Sequence, residues 1–221
     1  MKNKKTIMIN MEPFIRCDQY NFIKVQTKNL VQAHSTVKDK DVLNALKFRS
    51  LDKVLTLFPD ISEDQMTILE KLTEIEETTQ AEKFLSNLKA YVIPFKQITE
   101  KTVKKLFPKA KKIQIPPLKD IDLKEISYLG WYDIRSERKH LIVDYNGKLM
   151  GIQGTFKSSV EGICALCNGF EEIGLFMSKV KSGKETYTTK GNYICKDSQK
   201  CNHNLITLDK LNDFIVQLKK N

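Results

Sequence analysis

Cys164 and Cys167 bracket two residues in the stretch GICALCNGFEEIGLF, and Cys195 and Cys201 bracket five in CKDSQKC. The 27 residues between the two pairs are enough for a β-hairpin. Gly169 follows the first pair by two positions, as in a zinc knuckle, and an amphipathic helical pattern follows the second pair. Knuckle, hairpin, then a ligand pair near a helix is the order of a treble-clef finger. In such a finger two local turns from separate parts of the chain close a tetrahedron of four thiolates on one ion. The expected cofactor is one structural Zn2+ held by Cys164, Cys167, Cys195 and Cys201. His203, in CKDSQKCNH, is an alternative to Cys201, because Cys3His sites also exist.

Other uses of the cysteines fit less well. A thioredoxin-type redox pair belongs at the start of a helix in a βαβ context, which is absent here. A secreted disulfide scaffold spreads more pairs through a shorter chain. Cys17 stands alone far upstream and reads as a buried apolar side chain in a helix. A catalytic zinc keeps one coordination position open beside an acid or base. Four thiolates leave none open. A zinc deaminase would need His-x-Glu upstream of Pro-Cys-x-x-Cys, whereas Ile163 precedes Cys164 and His140 is followed by Leu141 and Ile142. With no Gly-x-Ser-x-Gly, phosphate-binding glycine loop or His-Glu-x-x-His, the chain is read as a non-enzyme.

The first half has helical periodicity. Phe14, Ile15, Phe22, Ile23, Leu30 and Val31 draw a stripe along one face between Glu12 and Ala33. A second helix is predicted from Asp41 to Phe58, ahead of Pro59, and Ser62 is a predicted N-cap for a third that runs through Leu69, Leu72 and Ile75. The pattern resumes at Phe84, Leu85 and Leu88, and a short basic helix is predicted from Thr99 to Phe107. Such stripes need one another for burial, so an antiparallel helical bundle is expected over residues 1–107. Residues 108–124, rich in proline and lysine, read as an extended connector. Residues 125–221 then alternate in the manner of strands: ISYLGWYDI, HLIVDY, KLMGIQGTF, EEIGLFMSKV and ETYTTKGNYIC. Asn146-Gly147 is a strong hairpin signal; a second turn is placed at Ser182-Gly183, and a closing helix runs from Thr207 to Lys219. The expected fold class is α+β: a helical bundle, then a β-rich domain with a treble-clef-like four-cysteine zinc finger.

The chain carries a net charge of +10, unevenly spread. Eight acidic residues and one lysine lie between Asp60 and Glu82, and eight lysines against two aspartates lie between Lys101 and Lys124. The basic segment suits RNA, a ribosomal surface or an acidic protein, although a solvated face is the simpler reading of any single lysine. No signal-peptide pattern and no apolar run of membrane length occurs, so a cytoplasmic protein is expected.

The segments GTFKSSVEGICALCNGFEEIGLF and TTKGNYICKDSQKCNHNL, behind a helical first half, resemble the FusB-type family of elongation-factor-G-binding proteins associated with fusidic acid resistance. The likeness spans essentially the whole chain and is most specific from Gly154 to Leu205. It implies a monomeric, non-catalytic factor that docks on elongation factor G, near ribosomal RNA, and promotes its release from drug-stalled ribosomes. It also implies that the zinc domain supplies the main contact through Phe156, Lys184, Tyr187 and the position of Leu208, with Phe214 a possible aromatic stand-in for Leu208. Phe156 sits between Thr155 and Lys157, a polar surround that suits an exposed anchor, whereas phenylalanine by itself is more often core. Trp131 is read as core. The competing function is an RNA- or ribosome-binding zinc module that uses the Lys101–Lys124 segment and binds with steep salt dependence.

Overall fold

Asn146 and Gly147 both adopt positive φ, 50° and 75°, in a two-residue loop that pairs Tyr145 with Lys148. That left-handed geometry matches the twist of the flanking strands, which is why Asn-Gly marks such a turn in sequence. The computed structural model describes residues 11–110, 112–181 and 186–219, and no helix among them is long and apolar enough to cross a membrane. The chain divides into two compact units: residues 11–16 with 27–93, and residues 17–26 with 94–219. The short basic helix and the proline-rich segment therefore fall inside the second unit.

The first unit is helical. It contains the second half of α1 (Cys17–Thr36), then α2 (Lys40–Leu55), α3 (Glu63–Glu70) and α4 (Thr78–Leu88). Asp39 caps α2 by accepting hydrogen bonds from the Asp41 and Val42 amides. Ser62 caps α3 as predicted, in a reciprocal capping box with Gln65. The third helix tightens into a 3-10 turn over Lys71–Glu74, which still buries Leu72. Leu30, Val54, Leu69, Leu72, Ile75 and Leu88, all stripe positions, are among the unit's buried residues, with Ile15, Phe58, Ala81, Phe84 and Val92.

In the second unit five strands form one antiparallel meander in the order β1-β2-β3-β4-β5. They are β1 (Tyr128–Asp133), β2 (Arg138–Tyr145), β3 (Lys148–Ile163), β4 (Phe170–Lys181) and β5 (Tyr187–Cys195). Successive side chains alternate between faces, and both faces are covered. Tyr128, Leu141, Val143, Ile152, Phe156 and Phe176 join the four cysteines in one core, closed by Leu211, Phe214 and Ile215 of α7 (Asp209–Lys219). Leu129, Trp131 and Ile142 point into a second core with Val103 of α5 (Glu100–Leu106), Phe107 and Ile126. Ile113, Ile115, Leu118 and Ile121 of the proline-rich segment pack against that second core. Burying a ring such as Phe176, which has no exposed surface, contributes about 2–3 kcal/mol. The β4–β5 turn placed at Ser182-Gly183 lies outside the described residues.

Candidate metal centre

Three strand ends and a short helix carry the cysteines to one place. Cys164 and Cys167 lie in the tight turn between β3 and β4, Cys195 ends β5, and Cys201 sits in α6 (Ser198–Asn204). The turn is closed by the Cys164 amide donating to the Gly169 carbonyl at 3.0 Å and the Asn168 amide donating to the Cys164 carbonyl at 2.9 Å. Asn168 takes positive φ, 58°, a conformation asparagine tolerates better than most residues. A Cβ on Gly169 would meet Asn204 Nδ2 at 2.4 Å, so a larger residue there would displace the Asn204 side chain.

All four thiols are buried, and their sulfurs lie within 4.8 Å of one another. Cys164 Sγ is 3.9 Å from Cys201 Sγ, and Cys167 Sγ is 3.7 Å from Cys195 Sγ. In a tetrahedron with metal–sulfur bonds of about 2.3 Å, the sulfurs sit about 3.8 Å apart. A disulfide would bring a pair to about 2 Å, and all five cysteines are free. The turn amides point at the sulfurs as well: Leu166 N and Cys195 N donate to Cys164 Sγ at 3.4 and 3.3 Å, and Gly169 N donates to Cys167 Sγ at 3.4 Å. Such donors stabilise thiolate, the form a metal binds.

The electrostatics agree with a site built for negative charge. Hydrogen bonds from Cys167, Cys195 and Cys201 hold the Cys164 thiol well below its usual range. Cys164 in turn pushes the Cys195 and Cys201 thiols up, since neighbouring thiolates cannot all form without a cation between them. Tyr128, wholly buried, is raised by burial and by Cys201. Its hydroxyl stands near Cys201 and Ser198 without closing a hydrogen bond of normal length, so it is free to donate to a thiolate at Cys201. Sulfur spacing, amide donors and this orphaned hydroxyl all fit a divalent ion held by four cysteines.

His203 is outside the cluster. Its side chain is about half exposed, with Nε2 3.7 Å from a Glu125 carboxylate oxygen, and Cys201 occupies the fourth position. Cys17 is buried, and burial pushes its thiol up to about 11, in keeping with an unreactive side chain.

The residues expected to touch a partner are placed unequally. Tyr187 begins β5 and is 64% exposed. Lys184 lies outside the described residues. Leu208 is half-buried against the cysteine-containing core. The reading of Phe156 as an exposed anchor is corrected: it is 3% exposed. Its ring packs 5.3 Å from that of Tyr132, because strand alternation turns it inward opposite Phe176. Phe214 is likewise buried, 5.6 Å from Phe176.

Sequence reasoning missed α6 and what surrounds the thiols. Asp197 caps α6 by accepting from the Gln199 and Lys200 amides, a signal readable in DSQK. Asn202, 1% exposed, fastens α6 to the sheet. Its Oδ1 accepts from the Ser127 and Tyr128 amides at 2.7 and 3.2 Å, and its Nδ2 donates to the Tyr128 and Ser198 carbonyls. Asn21, on the first turns of α1, donates to the Asn202 and Leu205 carbonyls at 2.8 and 2.9 Å. Lys139 is fully buried; its Nζ donates to the Lys196 carbonyl at 2.7 Å and to Ser198 Oγ at 2.9 Å. Burial pushes it down to about 8, while Cys201, Cys195, Asp197 and Cys164 pull the other way.

A knuckle, a hairpin and a short helix delivering four buried thiols define the second unit as a treble-clef-type metal-binding domain behind a helical unit. The family models divide the chain in the same order. Residues 14–96 match "Elongation factor G-binding protein, N-terminal", and residues 101–215 match "FBP C-terminal treble-clef zinc-finger". Among solved structures the chain is similar to the fusidic acid resistance protein FusC, with 33% identity and a TM-score of 0.81, over 95% of this chain and 100% of that one. No curated protein gives a significant match. The chain belongs to the FusB-type family.

Proposed function

We propose that this protein is a cytoplasmic, non-catalytic factor that binds elongation factor G and promotes its release from ribosomes stalled by fusidic acid. The observation that carries this reading is the similarity to the fusidic acid resistance protein FusC along nearly the entire chain, joined to an N-terminal match to an elongation factor G-binding model. One Zn2+, held by Cys164, Cys167, Cys195 and Cys201, supplies no chemistry of its own. It ties knuckle, hairpin and α6 into one rigid scaffold, and its four thiolate ligands leave no position for substrate. Release follows if the zinc domain binds the departing conformation of the factor better than the trapped one, since a ligand shifts an equilibrium only by its differential affinity.

Tyr187, exposed at the start of β5, and Lys184 form the contact in this reading, with Leu208 at its edge. Phe156, buried on β3, is left out of that contact. The test is capture of purified elongation factor G by the full chain, with and without nuclease-treated ribosomes. Tyr187→Ala with Lys184→Ala is expected to lower capture at least tenfold while leaving metal content unchanged. Normal capture by that double variant overturns the contact assignment. Retention of naked RNA, with no binding to the factor, overturns the function in favour of the RNA-binding module.

A further inference from the structure

A lysine with no exposed surface is rare, because an ammonium ion taken out of water needs an opposing charge. No carboxylate among the described residues forms an ion pair with Lys139 Nζ; Asp197 acts on it only from further off, alongside the thiolates of Cys201, Cys195 and Cys164. What it does have is two oxygen acceptors at the base of the cysteine cluster. The Lys196 carbonyl follows Cys195, and Ser198 opens the helix that carries Cys201. The Phe156 ring lies on another side, its centroid 5.4 Å from Nζ, within the range where an aromatic face attracts a cation. Space is tight around this arrangement. A Cβ on Gly130 would come within 2.5 Å of Ser198 Oγ and 2.7 Å of the Tyr128 ring.

The opposite problem exists at the cluster. Four thiolates around a divalent ion leave a net charge of about −2 in a buried site. Three amide donors offset part of it. We propose that Lys139 is the buried counter-cation of the metal–thiolate centre, held in place by the Lys196 carbonyl, Ser198 and the face of Phe156. Each charge makes the other's burial tolerable. Phe156 is then a positioning residue for the metal centre rather than a surface contact. The inference rests on the cysteines binding a metal ion, and it assigns to the core a lysine and a phenylalanine that face no partner.

The experiment uses the full chain loaded with zinc, competed against a chromophoric chelator, and in parallel loaded with cobalt(II), whose thiolate-to-metal absorption reports the donor field. Lys139→Met, which keeps length without charge, is expected to weaken metal retention ten- to a hundredfold and to shift the cobalt charge-transfer bands. Lys139→Arg should recover part of the loss, and Phe156→Leu should show a smaller weakening in the same direction. Retention by Lys139→Met within twofold of the parent, with unshifted bands, overturns the proposal. If the parent chain itself fails to bind zinc or cobalt, the metal reading falls instead, and the two failures are distinguishable. Should Lys139→Met not fold, the parent protein still decides the matter. Its Lys139 side-chain nitrogen, assigned by through-bond nitrogen correlation in the zinc-loaded chain at neutral pH, is expected to be a protonated ammonium. A neutral amine there overturns the proposal.

Discussion

At the scale of single residues, His140 illustrates what burial does to a titratable group. It is 1% exposed, stacked on Trp131 at 4.9 Å with 13° between planes and met edge-on by Phe107 at 5.1 Å. Burial lowers it from 6.5 to about 4, against the opposing pull of Asp133. Below about 6.5 the unfolded chain takes up a proton that the folded chain refuses. The stability linked to His140 is therefore fully present above that pH and is lost progressively as pH falls toward about 4. The loss is expected to reach roughly 2–3 kcal/mol. Acid also protonates thiolates, so the measurement is a difference: urea unfolding of the parent and of His140→Phe from pH 7 to 4.5. A steeper decline in the parent is expected, and parallel curves would assign the acid sensitivity elsewhere. His140 reads from sequence as a lone histidine; only packing against two aromatic rings gives it this property.

At the scale of elements, α6 is seven residues long and could not persist by itself. Asn202 supplies what its length does not, through two accepted and two donated hydrogen bonds. Asn202→Ala would strand the Ser127 and Tyr128 amides in a buried setting. Leaving such groups unpaired costs about 1–3 kcal/mol each, so a total loss of about 2–4 kcal/mol is expected in denaturant unfolding at saturating zinc. A loss below about 0.5 kcal/mol would mean that the metal alone positions α6. The strands and α2 to α5 were legible in sequence because period and caps agree there. Ser62 and Gln65, Thr99, and Asn146-Gly147 each do locally what their residue types suggest. The α6 helix was not legible, because its stability comes from partners far along the chain.

For the whole molecule, the lone tryptophan gives a direct readout. Trp131 lies in the second unit, in the core shared by α5 and the outer face of β1 and β2. The metal centre anchors the other face of the same sheet through Cys164, Cys167, Cys195 and Cys201. Structural zinc is worth on the order of 10 kcal/mol, comparable with the entire stability of a domain this size. Chelation is therefore expected to red-shift Trp131 fluorescence and to abolish capture of elongation factor G. The helices α2 to α4, which hold no cysteine, should keep their circular dichroism signal. Unchanged Trp131 emission after complete removal of zinc would show that the sheet stands without its metal.

The sequence by itself determined the four cysteines that cluster, the Asn-Gly hairpin turn, the Ser62 cap of α3 and the order of helical and β-rich parts, since each depends on residues close together in the chain. Cysteine spacing restricts which turns can share one ion, and Asn-Gly selects its own backbone conformation. Tertiary structure decided which face each residue takes. It sent Phe156 inward to Lys139, left Tyr187 in solvent and set His203 aside from the thiols. CALC, read alone, is compatible with a redox pair. Only when Cys195 and Cys201 arrive from β5 and α6, with a buried lysine behind them, does it become half of a closed metal clamp. Burial and charge balance depend on residues distant in sequence, and local pattern carries no record of them.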